Sequence, residues 1–266
     1  MAADILERIA ADKRIQISEE KTRVSFEEMK DKALNTTSML PDFSFEKALG
    51  KEGMSFICEV KKASPSKGII ANDFPYVAIA EEYEKAGADC LSVLTEEKYF
   101  MGCDEYLKEI RGAVDIPILR KDFIVDDYQI YQAKVIGADA VLLIMALLDE
   151  NVVKKYIKIC DELGLSALVE THDEVEIDKA VNAGARIIGV NNRNLKDFSV
   201  DINNSSKLRS CAPAGVIFVA ESGIKTREDV ACFEEQKADA VLVGETLMRA
   251  PDKKKKLLEL KGNIVM

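Results

Sequence analysis

From residue 55 onward, short apolar runs rich in β-branched residues alternate with longer segments of helical spacing. Such near-continuous apolar strands, separated by amphipathic helices, are typical of a parallel sheet whose outer face is covered. The pattern predicts eight strands, at residues 55–61, 90–95, 116–122, 140–145, 166–170, 186–191, 216–221 and 240–244.

A weaker repeat indicates how these units are arranged. AGADC (86–90), IGADA (136–140), AGARI (183–187) and QKADA (236–240) recur about every fifty residues, each at a helix-to-strand junction. Gly ends the helix in three of them and Lys237 takes its place in the fourth. Four repeats of two strand–helix units give eight units, so we predict an α/β fold, a single (β/α)8 TIM barrel over residues 51–266. An open doubly wound sheet is the alternative, disfavoured because no GxGxxG or GxxxxGK[ST] follows the first strand.

Residues 1–50 differ from the rest of the chain. They are rich in charge, with helical spacing of Ile5 and Ile9 and a capping-box pattern from Ser25 to Glu28. After Pro41, the stretch FSFEKALG reads as one more short helix that ends at Gly50. We therefore predict a helical N-terminal extension and no separate globular domain.

Composition narrows the class of protein. Among 266 residues, 47% are apolar and 32% charged, and 37 basic against 47 acidic side chains give a net charge of −10. This charge opposes binding to nucleic acid or anionic lipid by bulk attraction, so an anionic ligand needs a local cluster of Lys and Arg. Since no run of 18 apolar residues and no signal-peptide pattern occurs, we expect a cytoplasmic protein that binds no membrane.

The cysteines and the single histidine indicate neither a metal site nor disulfides. The six cysteines are scattered without a CxxC pair, and His172 is near none of them in sequence. We expect no metal, and each cysteine to be a small buried hydrophobe. No long exposed apolar stripe demands a partner chain, so a monomer is the expected state.

Charged residues close most of the predicted strands. In a (β/α)8 barrel the active site lies at the C-terminal ends of the strands, and charges there are costly unless they are paired or face a site. A ring of salt bridges is the purely structural alternative for the whole set, while Asp122 and Lys62 are each expected to be ordinary ion-pair partners. The side chains that converge on this end are Glu59, Lys61, Lys121, Glu170, Arg193 and Glu221.

The last two strands suggest a phosphate site. Ser222–Gly223 and Gly244 each lead into a helix at the usual phosphate position of this fold. The carboxylate of Glu245 would repel a dianion, so we expect it to point away and leave only its N–H. The long loop after strand 1, with Ser64 at its base, reads either as a surface connection or as a mobile loop over substrate. Phe100 and Phe123 are either core or the wall of an aromatic pocket.

Seven motifs in order resemble the indole-3-glycerol-phosphate synthase family, over essentially the whole chain. They are EVKKASPSKG (59–68), LTEEKYFMG (94–102), ILRKDFIVD (118–126), LVET (168–171), GVNNRNL (189–195), VAESGI (219–224) and VGETLMR (243–249). The resemblance implies ring closure, decarboxylation and dehydration of 1-(2-carboxyphenylamino)-1-deoxyribulose 5-phosphate to indole-3-glycerol phosphate. It implies no cofactor, and a phosphorylated small molecule as partner.

The resemblance also implies catalytic roles. Lys121 matches the general acid that protonates the ribulose carbonyl oxygen as the ring carbon attacks. Lys61 matches a lysine that contacts the substrate phosphate or carboxylate and is proposed as the acid in dehydration. Glu170 and Glu59 match glutamates that stabilise the cationic intermediate and move protons.

Binding roles follow in the same way. Asn191 and Arg193 resemble residues that orient the substrate, with Arg193 near the anthranilate carboxylate. Ser222, Gly223, Gly244 and Glu245 fall on phosphate-binding positions, although the family often has Ser or Thr at Glu245. Ser64, Phe100, Phe123 and Glu221 complete the expected substrate-binding set.

Three other functions remain compatible with the residues. A phosphoribosylanthranilate isomerase would need a Cys/Asp pair, whereas Cys58 should face away from Glu59. A Schiff-base aldolase would use Lys121 or Lys61 as its amine. A non-catalytic phosphate-binding barrel would have no need of Lys121 and Glu170.

Overall fold

Eight parallel strands close into a barrel in the order of the chain. The computed structural model describes residues 5–194 and 198–263. The barrel closes where Ser55 of the first strand pairs with Ala240 of the last. The predicted (β/α)8 TIM barrel is thus confirmed, and the open sheet is excluded. The strands, β1 to β8, are Ser55–Val60, Cys90–Leu94, Ile118–Lys121, Ala140–Ile144, Ser166–Thr171, Ile187–Asn191, Ile217–Glu221 and Ala240–Val243.

Helices precede the barrel and connect its strands. Between β1 and its following helix, Ala63–Ser64 and Gly68–Ile69 form a short antiparallel hairpin, which the loop prediction missed. In the described part of the chain the helices, α1 to α12, are Ile5–Arg23, Phe26–Asn35, Ser44–Leu49, Tyr76–Lys85, Asp104–Arg111, Tyr128–Val135, Glu150–Glu162, Glu174–Asn182, Asn203–Leu208, Arg227–Glu235, Glu245–Arg249 and Lys253–Leu260.

The four repeat motifs share one backbone turn. Gly87, Gly137 and Gly184 have φ between 89° and 91°, and Lys237 adopts φ 60° at the corresponding place. The left-handed conformation ends each helix and directs the chain into the next strand. Lys237 therefore adopts a backbone conformation in which glycine is the usual residue.

Apolar side chains alternate between two cores. Phe56, Cys58 and Val60 of β1 pack between the sheet and the helices, whereas Ile57 packs inside the barrel. Cys58 therefore faces away from Glu59, as predicted. This alternation sends Glu59 into the barrel interior, because successive residues of a strand point to opposite faces.

Helix α3 closes the N-terminal end of the barrel. Phe45 and Leu49 are fully buried among the inward-facing strand residues. The backbone N–H of Glu46 donates to the Ser166 hydroxyl at 3.2 Å, which ties the helix to the start of β5. The interior is therefore sealed at this end.

Helix α2 packs against α6 on the side of the barrel, and α1 lies at the C-terminal ends of the strands. Ser25 caps α2 by accepting a hydrogen bond from the N–H of Glu28 at 3.3 Å. Phe26 packs edge-on against Tyr131 of α6, with 5.6 Å between ring centroids. No helix in the described residues is long and apolar enough to cross a membrane.

The cysteine expectation was wrong for half of the six residues. Cys58, Cys90 and Cys160 are buried, but the others, at positions 103, 211 and 232, are partly exposed. These three lie on helix ends or outer helix faces, where helical spacing alone does not reveal the buried side. All six thiols are free.

Candidate active site

A cavity of about 560 Å³ opens at the C-terminal ends of the strands. Every residue that the sequence predicted to be catalytic or to bind substrate or phosphate lines this cavity. These residues come from seven of the eight strands and their loops. The set comprises Glu59, Lys61, Ser64, Phe100, Lys121, Phe123, Glu170, Asn191, Arg193, Glu221, Ser222, Gly223, Gly244 and Glu245.

Lys121 lies among carboxylates on the cavity floor. Its Nζ donates to Glu170 Oε2 at 3.2 Å and lies 3.9 Å from Glu221 Oε2. Both carboxylate side chains are 3% exposed, and that of Lys121 is 16% exposed. In so little water these charges interact strongly, which is the usual environment of acid–base residues.

Burial and neighbouring charges shift the proton affinities of this group apart. Burial lowers the pKa of Lys121, but the charges of Glu170, Glu221 and Glu59 outweigh it and raise the pKa above its usual range. Burial raises the pKa of Glu221 to about 8, because Lys121 compensates only in part and Glu170 and Glu59 add repulsion. For Glu170, burial is outweighed by Lys121 and His172, so its pKa lies below the usual range. One carboxyl thus holds its proton while the other stays ionised.

A second lysine–glutamate pair lies beside the first. Lys61 Nζ forms a close ion pair with Glu59 Oε1, and the Ser92 hydroxyl donates to Glu59 Oε2 at 3.4 Å. Gly244 leaves the space that the Glu59 carboxylate occupies, since a Cβ at this position would overlap Glu59 Oε1. Close approach therefore explains the glycine.

Asn191 and Arg193 extend the polar wall from the end of β6. Asn191 helps to lower the pKa of Glu170, and its Oδ1 accepts a hydrogen bond from the backbone N–H of Arg193 at 3.0 Å. Arg193 donates from Nη1 to the carbonyl of Phe198 at 3.2 Å, which holds its half-buried guanidinium at the cavity. The final residue of the GVNNRNL motif, at position 195, lies outside the described residues.

Two turns form the end of the cavity next to β7 and β8. Ser222 and Gly223 both have positive φ, 66° and 89°. A Cβ on Gly223 would lie 2.7 Å from side-chain atoms of Val200 and Ile202, so a larger residue does not fit. The Glu245 carboxylate accepts from Arg249 Nε at 3.0 Å. This contact ties it to a cation one helical turn further along α11.

Phe100 and Phe123 form an aromatic part of the wall. Their ring centroids are 5.9 Å apart with a 40° tilt. Both line the cavity and remain partly exposed, so they are not simply core. Ser64, from the short hairpin after β1, lines the same cavity.

Sequence reasoning missed several residues of the wall. Ile5, Leu6 and Ile9 of α1 line the cavity, as do Phe198, Val200 and Ile202 of the loop after β6. The apolar spacing of α1 was visible in the sequence, but it could not show which surface the helix covers. Arg249 was also missed, although its position four residues after Glu245 was a usable sign.

Asp122 supports the strand end from behind. It forms ion pairs with Lys13 of α1 at 3.0 Å and with Arg120 at 3.4 Å, and the Lys13 and Asp122 side chains are almost completely buried. The expected ion-pair role of Asp122 is thus confirmed. In the described residues no group of three His, Cys, Asp or Glu side chains is placed to hold a metal ion.

Side chains whose proton affinities are pushed in opposite directions inside one cavity are suited to moving protons. In this fold, the C-terminal mouth is where substrates bind. The fold and the cavity together define a TIM-barrel enzyme that works by acid–base chemistry.

Comparison with known proteins identifies the family. A family model described as "Indole-3-glycerol phosphate synthase" matches residues 6–260. Proteins of that name from Ruminiclostridium cellulolyticum and Endomicrobium trichonymphae are 54% and 52% identical, and each alignment covers 97% of this chain and 99% of the relative. The chain belongs to the indole-3-glycerol phosphate synthase family, the carboxy-lyases of tryptophan biosynthesis.

Solved structures show the same fold at greater distance. The 3-hexulose-6-phosphate synthase of Salmonella typhimurium superposes with a TM-score of 0.64 at 15% identity, over 79% of this chain and 97% of that one. A thiamine phosphate pyrophosphorylase from Pyrococcus furiosus gives 0.57 at 18%, over 79% and 94%. At these identities the likeness concerns the fold alone.

Proposed function

We propose that this cavity closes the indole ring of 1-(2-carboxyphenylamino)-1-deoxyribulose 5-phosphate, releasing carbon dioxide, water and indole-3-glycerol phosphate. The observation that carries the proposal is the position of Lys121 between Glu170 and Glu221 on the cavity floor. A protonated amine held there can donate to a carbonyl oxygen, while Glu170 remains able to accept a proton.

Ring closure requires an acid. The aromatic carbon that bears the carboxylate attacks the ribulose carbonyl carbon, and the carbonyl oxygen takes a proton from Lys121. The ring is then cationic. The carboxylate leaves as carbon dioxide, and the electrons of its bond restore the aromatic ring without a cofactor. The ionised Glu170 stabilises the cation through its charge.

Dehydration requires a second acid and a base. The hydroxyl formed in the first step leaves as water with a proton from Lys61, assisted by the nitrogen lone pair. Glu170 or Glu59 removes a proton from the neighbouring methylene carbon, which completes the indole. The ion pair between Lys61 and Glu59 supports their assignment as the acid and the base of dehydration.

The remaining wall residues are assigned to binding. The turns at Ser222–Gly223 and Gly244–Glu245 present backbone N–H groups to the phosphate. Arg193, held by Asn191 and Phe198, binds the anthranilate carboxylate. The anthranilate ring packs along Phe100 and Phe123, with Ser64 and Glu221 contacting the polar groups of the sugar chain.

Two other functions are disfavoured by particular contacts. Cys58 packs on the helix side of β1, which leaves no Cys acid–base pair for an isomerase. Schiff-base formation needs a neutral amine, whereas the surrounding carboxylates raise the pKa of Lys121. Borohydride treatment in the presence of substrate should therefore trap no adduct.

The direct test measures indole fluorescence after addition of the substrate. The chain contains no Trp, so the protein contributes little background. Lys121→Ala should lower turnover by at least roughly 100-fold, the scale of a lost general acid. Lys154→Ala, an exposed lysine of α7, is the matched control and should behave as wild type. Turnover of Lys121→Ala within a few-fold of wild type would remove Lys121 from the mechanism.

We further propose a particular oligomeric state, cellular location and division of the chain. These are a monomer in the cytoplasm, and a division into an extension at residues 1–50 and a barrel at residues 51–266. A single species near 29.5 kDa in sedimentation analysis is the expected result for the monomer.

A further inference from the structure

The only histidine of the sequence lies directly behind Glu170. His172 follows the catalytic strand by one residue, and its side chain is 19% exposed. It does not contribute to the cavity wall. The reaction proposed above gives it no role, so its burial against the acid–base group calls for an explanation.

Glu176 fixes the orientation of the imidazole ring. Its Oε2 accepts a hydrogen bond from the backbone N–H of His172 at 2.8 Å and lies 3.1 Å from His172 Nδ1. From α9, Asn204 donates to the His172 carbonyl at 3.3 Å. These contacts hold the ring with Nδ1 towards α8 and Nε2 towards the strand ends.

The other ring nitrogen faces Glu170. His172 Nε2 is 3.5 Å from Glu170 Oε1 and is buried without a hydrogen-bond partner among the described residues. Glu170 Oε2 faces Lys121. The four side chains thus form a line of alternating charge, from Glu176 through His172 and Glu170 to Lys121.

Both ring nitrogens face carboxylates, which favours the doubly protonated ring. A neutral imidazole would direct a lone pair at one of the two carboxylates, whereas the imidazolium presents an N–H to each. Burial lowers the pKa of His172, but Glu176, Glu170 and the more distant Glu221 outweigh it and raise the pKa. Among the described residues, the carboxylates that act on the ring come from α8, β5 and β7.

We propose that His172 is a positioning residue, whose imidazolium, oriented by Glu176, holds the Glu170 carboxylate ionised and turned towards Lys121. The inference rests on the proposed role of Glu170. In this role the His172 imidazolium, which lies outside the cavity, sets the pH range in which Glu170 is ionised and can accept a proton. Loss of the cation lets Glu170 take up a proton at higher pH and removes the charge that orients Oε1.

The first experiment is the pH dependence of turnover in His172→Gln. We expect kcat near neutral pH to fall roughly tenfold with little change in KM, because the binding wall is intact while the base is misplaced. The acidic limb of the kcat profile should move to higher pH. Glu174→Gln, an exposed position in the first turn of α8, should leave both unchanged. A lowered kcat with an unmoved acidic limb would mean a structural role and would overturn the proposal.

The second experiment uses the fact that the chain has one imidazole. Nuclear magnetic resonance titration of that ring reads the pKa of His172 without assignment ambiguity. The interaction between the two charges acts on both groups, so Glu170→Gln should lower the His172 pKa. Glu176→Gln keeps the ring but should also lower its pKa and reduce kcat, which tests the idea if His172→Gln does not fold. An unchanged His172 pKa in both Glu variants would refute it.

These outcomes separate the inference from the function on which it rests. If Glu170→Gln keeps near wild-type turnover, the proposed role of Glu170 is wrong, whatever His172 does. If Glu170→Gln is inactive but His172→Gln has the wild-type profile, only the role of His172 is wrong.

Discussion

The Glu59 carboxylate occupies the space beside the α-carbon of Gly244, on the opposite side of the seam where β1 meets β8. The same α-carbon lies near Lys61, because a Cβ on it would be 3.1 Å from Lys61 Nζ. A turn assigned to phosphate and a pair assigned to proton transfer therefore share one small volume.

Gly244→Ala should consequently impair both binding and chemistry. The added methyl group displaces Glu59 and separates it from Lys61, so we expect kcat/KM to fall roughly 10- to 100-fold. Steady-state kinetics by indole fluorescence would measure this. Gly112→Ala is the control, because a Cβ there meets only ordinary contacts at 3.5 Å or more and lies away from the cavity. Equal kinetics for the two variants would show that the close approach is unimportant.

Arg249 should matter because it forms an ion pair with Glu245, whose carboxylate would otherwise repel the substrate phosphate. Arg249→Met frees a carboxylate at the mouth, and the half-exposed pair suggests a rise in KM of roughly three- to fivefold with kcat retained. Adding Glu245→Gln should restore KM, since no charge then remains to be neutralised. If the double variant binds as poorly as Arg249→Met alone, the arginine contacts the substrate itself.

Helix α1 should contribute to substrate binding through its apolar face. Ile9 is 3% exposed and lines the cavity, whereas Ile15 on the same helix is 60% exposed. Ile9→Ala should raise KM several-fold and leave kcat nearly unchanged, because it alters the wall and not the acid–base group. Ile15→Ala is the same substitution on the solvent side. Identical KM values for the two would argue against a covering role of the extension.

The buried Glu221 should make stability depend on pH. Its pKa is raised from 4.5 to about 8, mainly by burial, so the folded protein binds a proton that the unfolded chain releases. The wild-type free energy of unfolding therefore loses this contribution as the pH rises from about 5 to about 8. Glu221→Gln lacks the effect, and its stability relative to wild type should increase through that window. Denaturant titrations at several pH values, with the exposed Glu235→Gln as control, would detect it. A constant difference across the window would mean that Glu221 is ionised in the folded protein.

The strands were predictable because burial on both faces makes them continuous apolar runs. Each observed strand ends within two residues of its predicted limits. The charged residue at the end of such a run, for example Lys121 after Ile118–Arg120, marks the mouth of the barrel without further knowledge. Site residues that continue a strand could therefore be found from the sequence.

Residues that reach the cavity from outside the strand ends could not be found from the sequence. Ile9 lines the wall because α1 lies over the mouth, and nothing in its local spacing gives that direction. His172 acts on Glu170 through a ring orientation that depends on Glu176 in the next helix. Gly189 packs against the Glu221 carboxylate from the neighbouring strand, and a glycine inside a strand was its only sign. These contacts depend on tertiary packing, which periodicity does not report.

Helix α3 closes one end of the barrel, so in the described part of the chain the interior opens only at the C-terminal ends of the strands. Phe45 and Leu49 fill the N-terminal end of the barrel, and the cavity lies at the opposite end. We therefore expect carbon dioxide, water and the indole product to leave through the same opening by which the substrate enters.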